Sequence, residues 1–486
     1  LPNEYKSLQG GEDKLTRVEE LADFVMRASY DSLSEAARDQ IKIRILDSLG
    51  CAMGALDGEP VKIIRRHIEE FDGAGKCSLI AGGKTAPDRA AFYNGALIRY
   101  LDFNDSYLAK YETCHPSDNL AAVLAAAEYA GRNGRDLITA AAVAYQVQCR
   151  LSDVAPVRAA GFDHTTQGSF AAAAGVSKAL GLNRVQTANA LAICGTAYNA
   201  LRVTRTEKLS HWKGLAYPNM GACCLRTALL AGAGITGPLQ VFEGKKGFMD
   251  SISGYFEIDW SKEDLESVRR TILKRYNAEI HSQTAIETIL ELRQQHKIVS
   301  EEIQHIEVNI FDVAYNIIGG GDEGDKTVVD TKEQADHSLP YIVAVALLDG
   351  RVMPEQYLPE RIHQKDVQQL LGRIGVQPSD EYSKRFPNEM PCRITVWLQD
   401  GRKLVGENRD YLGFHTKPMS WEAALKKYER LSCPHTSASL RNSIAETVMH
   451  LDETDVTSLM QLLKTVQREA IKNDSPVGDM KWRKEA

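Results

Sequence analysis

The apolar stretches of this chain are built from unusually small residues. "LAAVLAAAEYA" (120–130) and "GSFAAAAGVSKALGL" (168–182) are dominated by Ala and Gly. Such residues form helices but offer little side-chain volume, so they bury surface only if helix axes approach closely. The chain therefore has to fold as a tightly packed helical core. Helical spacing of apolar positions extends this reading to 15–30, 34–54, 86–103, 117–131, 135–152, 184–198 and 219–235. Ser117 and Asp118, after Pro116, mark the start of the 117–131 helix. The run at 120–130 is too short for a membrane span, which takes about 18 apolar residues or more, and reads as a buried helix.

The pattern changes near residue 300. Ile306, Val308 and Ile310 alternate as in a strand, and "CRITVWLQDGRKLVGENR" (392–409) alternates on both sides of Asp400-Gly401, a hairpin turn signal. Helices are expected between them at 333–348 and 364–374, and helical spacing returns at 420–431, 438–450 and 453–472. A chain of 486 residues exceeds one simple core. The expected fold is mainly α. A large helical domain is built from both chain ends, 1–267 and 406–486, and a smaller α+β domain, 268–405, is inserted between them.

Charge and cysteine usage exclude some functions. A net charge of −7 with no long basic run disfavours nucleic acid or an anionic membrane as the main partner. Nine scattered cysteines, with no CxxC pair, suit buried thiols in a reducing compartment and disfavour an iron–sulfur cluster. The opening residues, "LPNEYKSLQGGEDKLTRVEE", carry no secretory signal pattern and begin without Met, as a processed or trimmed chain would.

Four segments hold the groups that could do chemistry. "RYLDFNDSYLAKYETCHPSDN" (99–119) crowds Asp102, Asp105, Glu112, His115 and Asp118 among tyrosines. It reads as a metal site, an acid–base site or a crowded polar loop. The metal reading lacks a His partner at i+4 and an HExxH motif. Because the block abuts a buried helix, His115 is expected where a helix N-terminus faces a cleft, a place that favours anions. "RVTRTEKLSHWKGLAYPN" (202–219) mixes Arg202, Arg205, Lys208, His211 and Lys213 with Trp212, Leu215 and Tyr217. That mixture suggests a partly buried cationic pocket suited to carboxylates rather than a solvated loop. In "ILKRYNAEIHSQTAIETIL" (272–290), Lys274 and Arg275 precede a helix whose first turns hold His281 and Gln283. This is either a surface cluster or a buried lysine able to meet a carboxylate or exchange protons. His337, heading the helix in "ADHSLPYIVAVALLDG", is expected to cap it rather than catalyse. "IIGGGDEGDKT" (317–327) is Gly-rich but acidic, and reads as a flexible loop that would repel phosphate.

Together, "LDFNDS", "HPSDN", "GSFAAAAGVSKALGL", "EGKKGF" (243–248), "LKRYNAEIHSQTAIE" and "DHSLPYIVAVALLDG" resemble the 2-methylcitrate dehydratase (MmgE/PrpD) family, in that order along the chain. That family also includes cis-aconitate decarboxylase and iminodisuccinate epimerase. The resemblance implies a helical domain with a smaller α+β domain, a homodimer, and catalysis without metal or cofactor. It implies an acid–base site of Asp102 and His115, a second active-site histidine at His164, and carboxylate-binding cations at Lys213 and Lys274. Tyr315 is a weaker match, and Ser106 stands where relatives often have Thr. Ser106, Arg202, Arg205 and His281 are the expected substrate-binding residues. His115 would transfer the proton, with Asp102 orienting it or sharing that role, and His164 or Tyr315 would handle the leaving hydroxyl. The form "YLAKYETCHPSDN" is closer to the dehydratases than to the decarboxylases.

The implied activity is dehydration of 2-methylcitrate or a similar tricarboxylate. Decarboxylation of cis-aconitate and epimerisation of an iminodiacid are the alternatives on the same scaffold, and a non-catalytic carboxylate-binding protein is the alternative of another class. The expected compartment is the cytoplasm, or the mitochondrial matrix in a eukaryotic host.

Overall fold

The computed structural model describes residues 15–71, 75–206 and 209–471. The first 14 residues, which hold most of the opening segment, and Lys208 of the basic stretch lie outside the described residues. The fold is mainly α, as expected, with few strands.

Helices Pro87–Tyr100, Leu120–Tyr129, Gly134–Val154, Thr165–Leu180, Arg184–Ala197 and Trp212–Gly232 pack on one another. The small residues do what their size allows. A Cβ added at Gly175 would come within 2.8 Å of the Ala144 Cβ and 2.9 Å of Val123 Cγ2, so three helices meet there at backbone distance. Helices Glu35–Gly54, Trp421–Ser432, Ala438–Met449 and Val456–Lys464 join the same apolar cluster, which therefore draws on both ends of the described chain.

A second apolar cluster runs from Ile272 to Phe414. It surrounds a four-stranded sheet in the spatial order Ile374–Pro378, Ile303–Ile310, Cys392–Leu398, Lys403–Asn408. The first pair is parallel and the others are antiparallel. The expected hairpin is present, with Gly401 at φ +87°, a value suited to glycine. The strand at 374–378 was not anticipated; most of it falls just beyond a region read as helix to residue 374, and the helix there is only Lys365–Leu371. Among the described residues, no helix is long and apolar enough to cross a membrane.

Two departures from the expected helices matter for function. The helix expected at 219–235 begins at Trp212 and carries Pro218 inside it. Proline ends a pattern-based reading. Here its ring stacks over Gly95, where a Cβ would lie 3.1 Å from Pro218 Cβ, and the residue four before it is Gly214. Lys213 is therefore in a first helical turn, not a loop. The helix expected at 333–348 is broken into Lys332–Ala335 and Leu339–Asp349. Ser338 caps the second piece through Tyr341 N–H, with Pro340 in its first turn. The break turns Asp336 and His337 out of helical register.

Candidate active site

The site forms where the two clusters meet. Residues 106 and 272 make an antiparallel bridge, with Ser106 N–H to Ile272 O at 2.9 Å and Ile272 N–H to Ser106 O at 2.8 Å. This bridge lays the crowded 99–119 segment against the start of the second cluster and brings Lys274 onto Asp102. Asp102 ends the Pro87–Tyr100 helix in a left-handed conformation, φ +53°, which is uncommon outside glycine and worth reading as a functional constraint.

The Asp102 carboxylate is buried and gathers three cations. Arg99 Nη1 and Lys274 Nζ reach Oδ1, the latter at 3.0 Å, and Lys213 Nζ donates to Oδ2 at 3.0 Å. Lys274 also donates to the Asp102 carbonyl at 2.5 Å. Burial alone would push this carboxyl upward, but Arg99, Lys213 and Lys274 hold it well below its usual range. Burial lowers Lys213, with Asp102 and Asp336 opposing.

His115 stands beside this group. Its Nδ1 lies 2.8 Å from the Asp105 carbonyl and 3.0 Å from Ser106 Oγ. A carbonyl only accepts, so Nδ1 carries the proton and Nε2 keeps its lone pair. Burial, then Arg99, holds His115 well below the ordinary histidine value, so the ring is neutral near pH 7. His164 crosses its edge at 5.4 Å between centroids and stacks on Tyr217 at 5.6 Å. Gly168 makes that stack possible, since a Cβ there would lie 2.5 Å from the Tyr217 ring. His164 Nδ1 lies 3.3 Å from Asp163 Oδ1, and its buried Nε2 has no hydrogen-bond partner among the described residues.

A small cleft of about 50 Å³ is lined by Asp102, His115, His164, Arg202, Arg205, Lys213, Lys274 and His281, all expected from sequence. Arg158, Glu279, Glu323 and His337 also line it and were not expected there. A larger open groove of about 720 Å³, lined by Arg150, Glu263, Glu266 and Arg269, has its charges paired among themselves. It brings together none of the expected site residues, so it does not compete as the catalytic centre.

Several expectations need correction. Asp102 does not orient His115; backbone carbonyl 105 and Ser106 do that, while Asp102 is held by cations. Ser106, expected to touch substrate, is fully buried with its hydroxyl behind the His115 ring. Tyr315 does not line the cleft. It opens the π-turn Tyr315–Gly319 and packs against Gly319 and Gly321, and Ile317 takes the lining position. His337 is not merely a cap: its Nδ1 lies 2.5 Å from Asp336 Oδ1 and 3.3 Å from Lys213 Nζ, and its Nε2 lies 3.8 Å from Asp102 Oδ2. The acidic 317–327 segment is not a loop apart from the site, because Glu323 enters the cleft. Arg275 turns away to Glu287 at 2.7 Å. Arg205 faces the cleft but pairs with Asp163. His281 bonds Glu279 Oε1 through Nδ1 at 2.7 Å. His281, with His337 and Lys274, draws the Glu279 carboxyl down to about 2 against its burial.

Asp102, Asp336 and His337 offer three donor atoms within 4.8 Å of one another, a spacing that would suit a cation. Lys213 already supplies one: its ammonium lies 3.0, 3.9 and 3.3 Å from these residues. The donor set is that of an ion-pair network built around a lysine.

Arg99 escaped the sequence reading, although a buried arginine in an apolar helix is itself a sign of a paired charge. It also reaches Asp118 Oδ2, at 3.4 Å.

Comparison with known proteins places the chain in a family. The model of the MmgE/PrpD N-terminal domain matches residues 19–261, and that of the MmgE/PrpD C-terminal domain matches residues 276–453. The chain belongs to the MmgE/PrpD family. It is 29% identical over 410 residues to a 2-methylcitrate dehydratase of Salmonella typhimurium, covering 79% of this chain and 83% of the relative. It is 27% identical over 411 residues to a mitochondrial 2-methylcitrate dehydratase of Yarrowia lipolytica, covering 80% and 78%. It is 25% identical over 491 residues to cis-aconitate decarboxylase of Mus musculus, covering 94% and 96%. These relatives are dehydratases and a decarboxylase of citrate-like acids.

Proposed function

We propose that this protein is a hydro-lyase that dehydrates 2-methylcitrate, or a similar citrate-like tricarboxylate, by acid–base chemistry that needs no metal. The observation that carries the reading is the neutral His115, with its Nε2 lone pair available beside three cations gathered on Asp102. Removing water from such an acid requires loss of a proton next to a carboxylate and protonation of the departing hydroxyl. His115 Nε2 takes the proton. Lys213 and Lys274 hold the adjacent carboxylate and stabilise the enolate-like charge that develops; in comparable sites one such donor contributes about 2.7–4 kcal/mol. His164, backed by the Asp163 carboxylate, protonates the hydroxyl as it leaves. The two histidine rings are neighbours, so one bound substrate spans both. Homodimerisation is part of this reading and rests on the family resemblance.

A second reading is supported by the longer match, over 94% of the chain, to cis-aconitate decarboxylase. The same cations would hold the carboxylates there, and His115 or His164 would protonate the carbanion after carbon dioxide departs. An ultraviolet assay for a conjugated alkene acid separates the two, run with 2-methylcitrate, citrate and cis-aconitate in the presence of EDTA. Rising absorbance with 2-methylcitrate, unchanged by EDTA, supports the dehydratase. Loss of cis-aconitate with release of carbon dioxide supports the decarboxylase. Abolition by EDTA, restored by a divalent metal, would overturn the metal-independent scheme.

A further inference from the structure

Glu323 occupies an unusual position. Its neighbours Asp322, Gly324 and Asp325 are exposed, yet its own side chain is only 9% exposed and lines the cleft. One oxygen, Oε1, accepts from two guanidiniums, Arg202 Nη2 at 2.9 Å and Arg158 Nη2 at 3.1 Å. Those arginines belong to the helical cluster's side of the cleft, whereas Glu323 comes from the segment around the sheet.

The arginine pair is rigidly prepared. Arg202 N–H donates to the Gly161 carbonyl at 2.9 Å, and Phe162 bridges Leu201, so the two arginine-bearing turns are stitched together. Glu112 accepts from the backbone N–H of Val157 and Arg158 at 3.3 and 3.2 Å, fixing the start of the Arg158 turn. Two like charges held this close repel; burial and Arg202 both push Arg158 downward. The pair needs an anion between its members, and a forked arginine pair suits a carboxylate.

The Glu323 segment is built differently. It is flanked by Gly320 at φ +105° and Gly324 at φ +85°, and held to the preceding turn by Glu323 N–H to Asn316 O at 2.9 Å. The cleft beneath is about 50 Å³, well below the roughly 300–1,000 Å³ of ordinary ligand pockets. Something must withdraw before a tricarboxylate can enter, and Glu323 carries the same functional group as the ligand it would exclude.

We propose that Arg158 and Arg202 form a subsite for a distal carboxylate of the substrate, and that Glu323 fills this subsite until a substrate carboxylate displaces it. The proposal rests on the reading of the substrate as a tricarboxylate, and deepens it: Lys213 and Lys274 serve the carboxylate next to the reacting carbon, and the arginine pair serves one further along. The resting site is then self-neutralised, and only a ligand able to satisfy both cationic groups gains enough to open it. That sets a preference for polycarboxylates over monocarboxylates.

The test is calorimetric binding of tricarballylate, which has no hydroxyl to eliminate, to the full chain and its variants. In Glu323→Gln the competing charge is gone, and tricarballylate binds about tenfold tighter, 1.4 kcal/mol by RT ln 10. Adding Arg202→Gln to that variant removes the gain. Glu323→Asp, whose shorter side chain keeps the charge but not the reach to both arginines, gives a smaller gain and guards against misfolding of the first variant. Binding that is unchanged or weaker in Glu323→Gln, with unaltered thermal unfolding, overturns the proposal. So does a gain that survives removal of the arginine. Turnover assays separate this outcome from the fate of the proposed reaction. If tricarballylate tightens but neither 2-methylcitrate nor cis-aconitate is consumed, the subsite stands and the reaction falls. If turnover is found and binding does not change, the reverse holds.

Discussion

Lys427 tests how the site is held together. It projects from the Trp421–Ser432 helix, and its ammonium donates to the Phe103 carbonyl at 2.7 Å and the Lys274 carbonyl at 3.0 Å. These are the backbone units next to Asp102 and of Lys274 itself. The ammonium also lies 2.7 Å from Asp47 Oδ1 and 3.7 Å from the centroid of the Phe103 ring. Two of its three N–H donors serve the carbonyls, and the ammonium also forms a close ion pair with Asp47. Both side chains are nearly inaccessible, at 7% and 1%. In Lys427→Met the Asp47 carboxylate is left buried without its partner, a change that costs about 3–5 kcal/mol. The two lost carbonyl bonds are included in that figure rather than added to it. Against a typical stability of about 5–15 kcal/mol, this is a large loss. Equilibrium urea unfolding with verified refolding measures it. Burial already pushes the Asp47 carboxyl upward, with Lys427 opposing. Without Lys427, the folded state binds a proton at a higher pH than the unfolded state does. The penalty is therefore larger at pH 7.5 than at pH 5.5, where protonation relieves the charge. Lys427→Met combined with Asp47→Asn recovers part of the loss. A single variant within about 1 kcal/mol of the parent, or strict additivity of the pair, refutes the reasoning.

Other outcomes follow from the same geometry. His115→Gln lowers kcat by about 10²–10⁴-fold with little change in thermal unfolding, since general acid–base groups contribute at that scale; near-normal turnover would remove His115 from the mechanism. Asp102→Asn keeps the left-handed backbone and folds better than Asp102→Ala, which adds about 1–2 kcal/mol of strain; equal unfolding midpoints would show that φ +53° carries no cost. His115 and His337 are held below the ordinary histidine value, by burial first and then by Arg99 and Lys213 respectively. The unfolded chain takes these protons near pH ~6.5 and the folded chain only lower, so stability declines as pH falls below that value. The Glu279 contribution, complete above its unfolded value of about 4.5, is lost as pH falls toward about 2. Unfolding midpoints measured across pH 2–8 check both; a flat profile from 8 to 5 would contradict the histidine part, and one flat from 4.5 to 2 the Glu279 part.

The helices and the hairpin were legible because their apolar spacing is local. Ala-rich runs can bury only as close-packed helices, and Asp400-Gly401 can only turn. Lys213 was also legible, because its surroundings are too apolar for a solvated loop, and His115 because it abuts a buried helix start; Lys274 stood open between a surface cluster and a buried lysine until the family resemblance singled it out. Their convergence was not. Asp102 and Lys274 stand 172 residues apart, and the bridge from Ser106 to Ile272 that joins them leaves no periodic trace. His337 read as a cap because a Ser-Leu-Pro start follows it; that start breaks the helix and frees the ring. Glu323 was hidden for the opposite reason. Its acidic, Gly-rich surroundings are those of an exposed loop, and only the tertiary position of Arg158 and Arg202 turns one of those acids inward. Tyr315 failed because its side chain packs down onto Gly319 and Gly321, four and six residues further on.

The clasp around Lys427 has a consequence for the order in which the protein comes into being. A ribosome delivers Asp47, Phe103 and Lys274 long before it delivers Lys427, and nearly all the titrating groups of the cleft are already outside the exit tunnel by then. Until the late helix docks, the carbonyls of Phe103 and Lys274 lack their common donor, and the two halves of the cleft are held only by contacts such as the Ser106–Ile272 bridge and Lys274 on Asp102. Nascent or prematurely terminated chains can thus carry nearly every reactive side chain and still be inert. Chains stalled before Lys427 are therefore expected to be silent toward the substrate that the completed protein turns over.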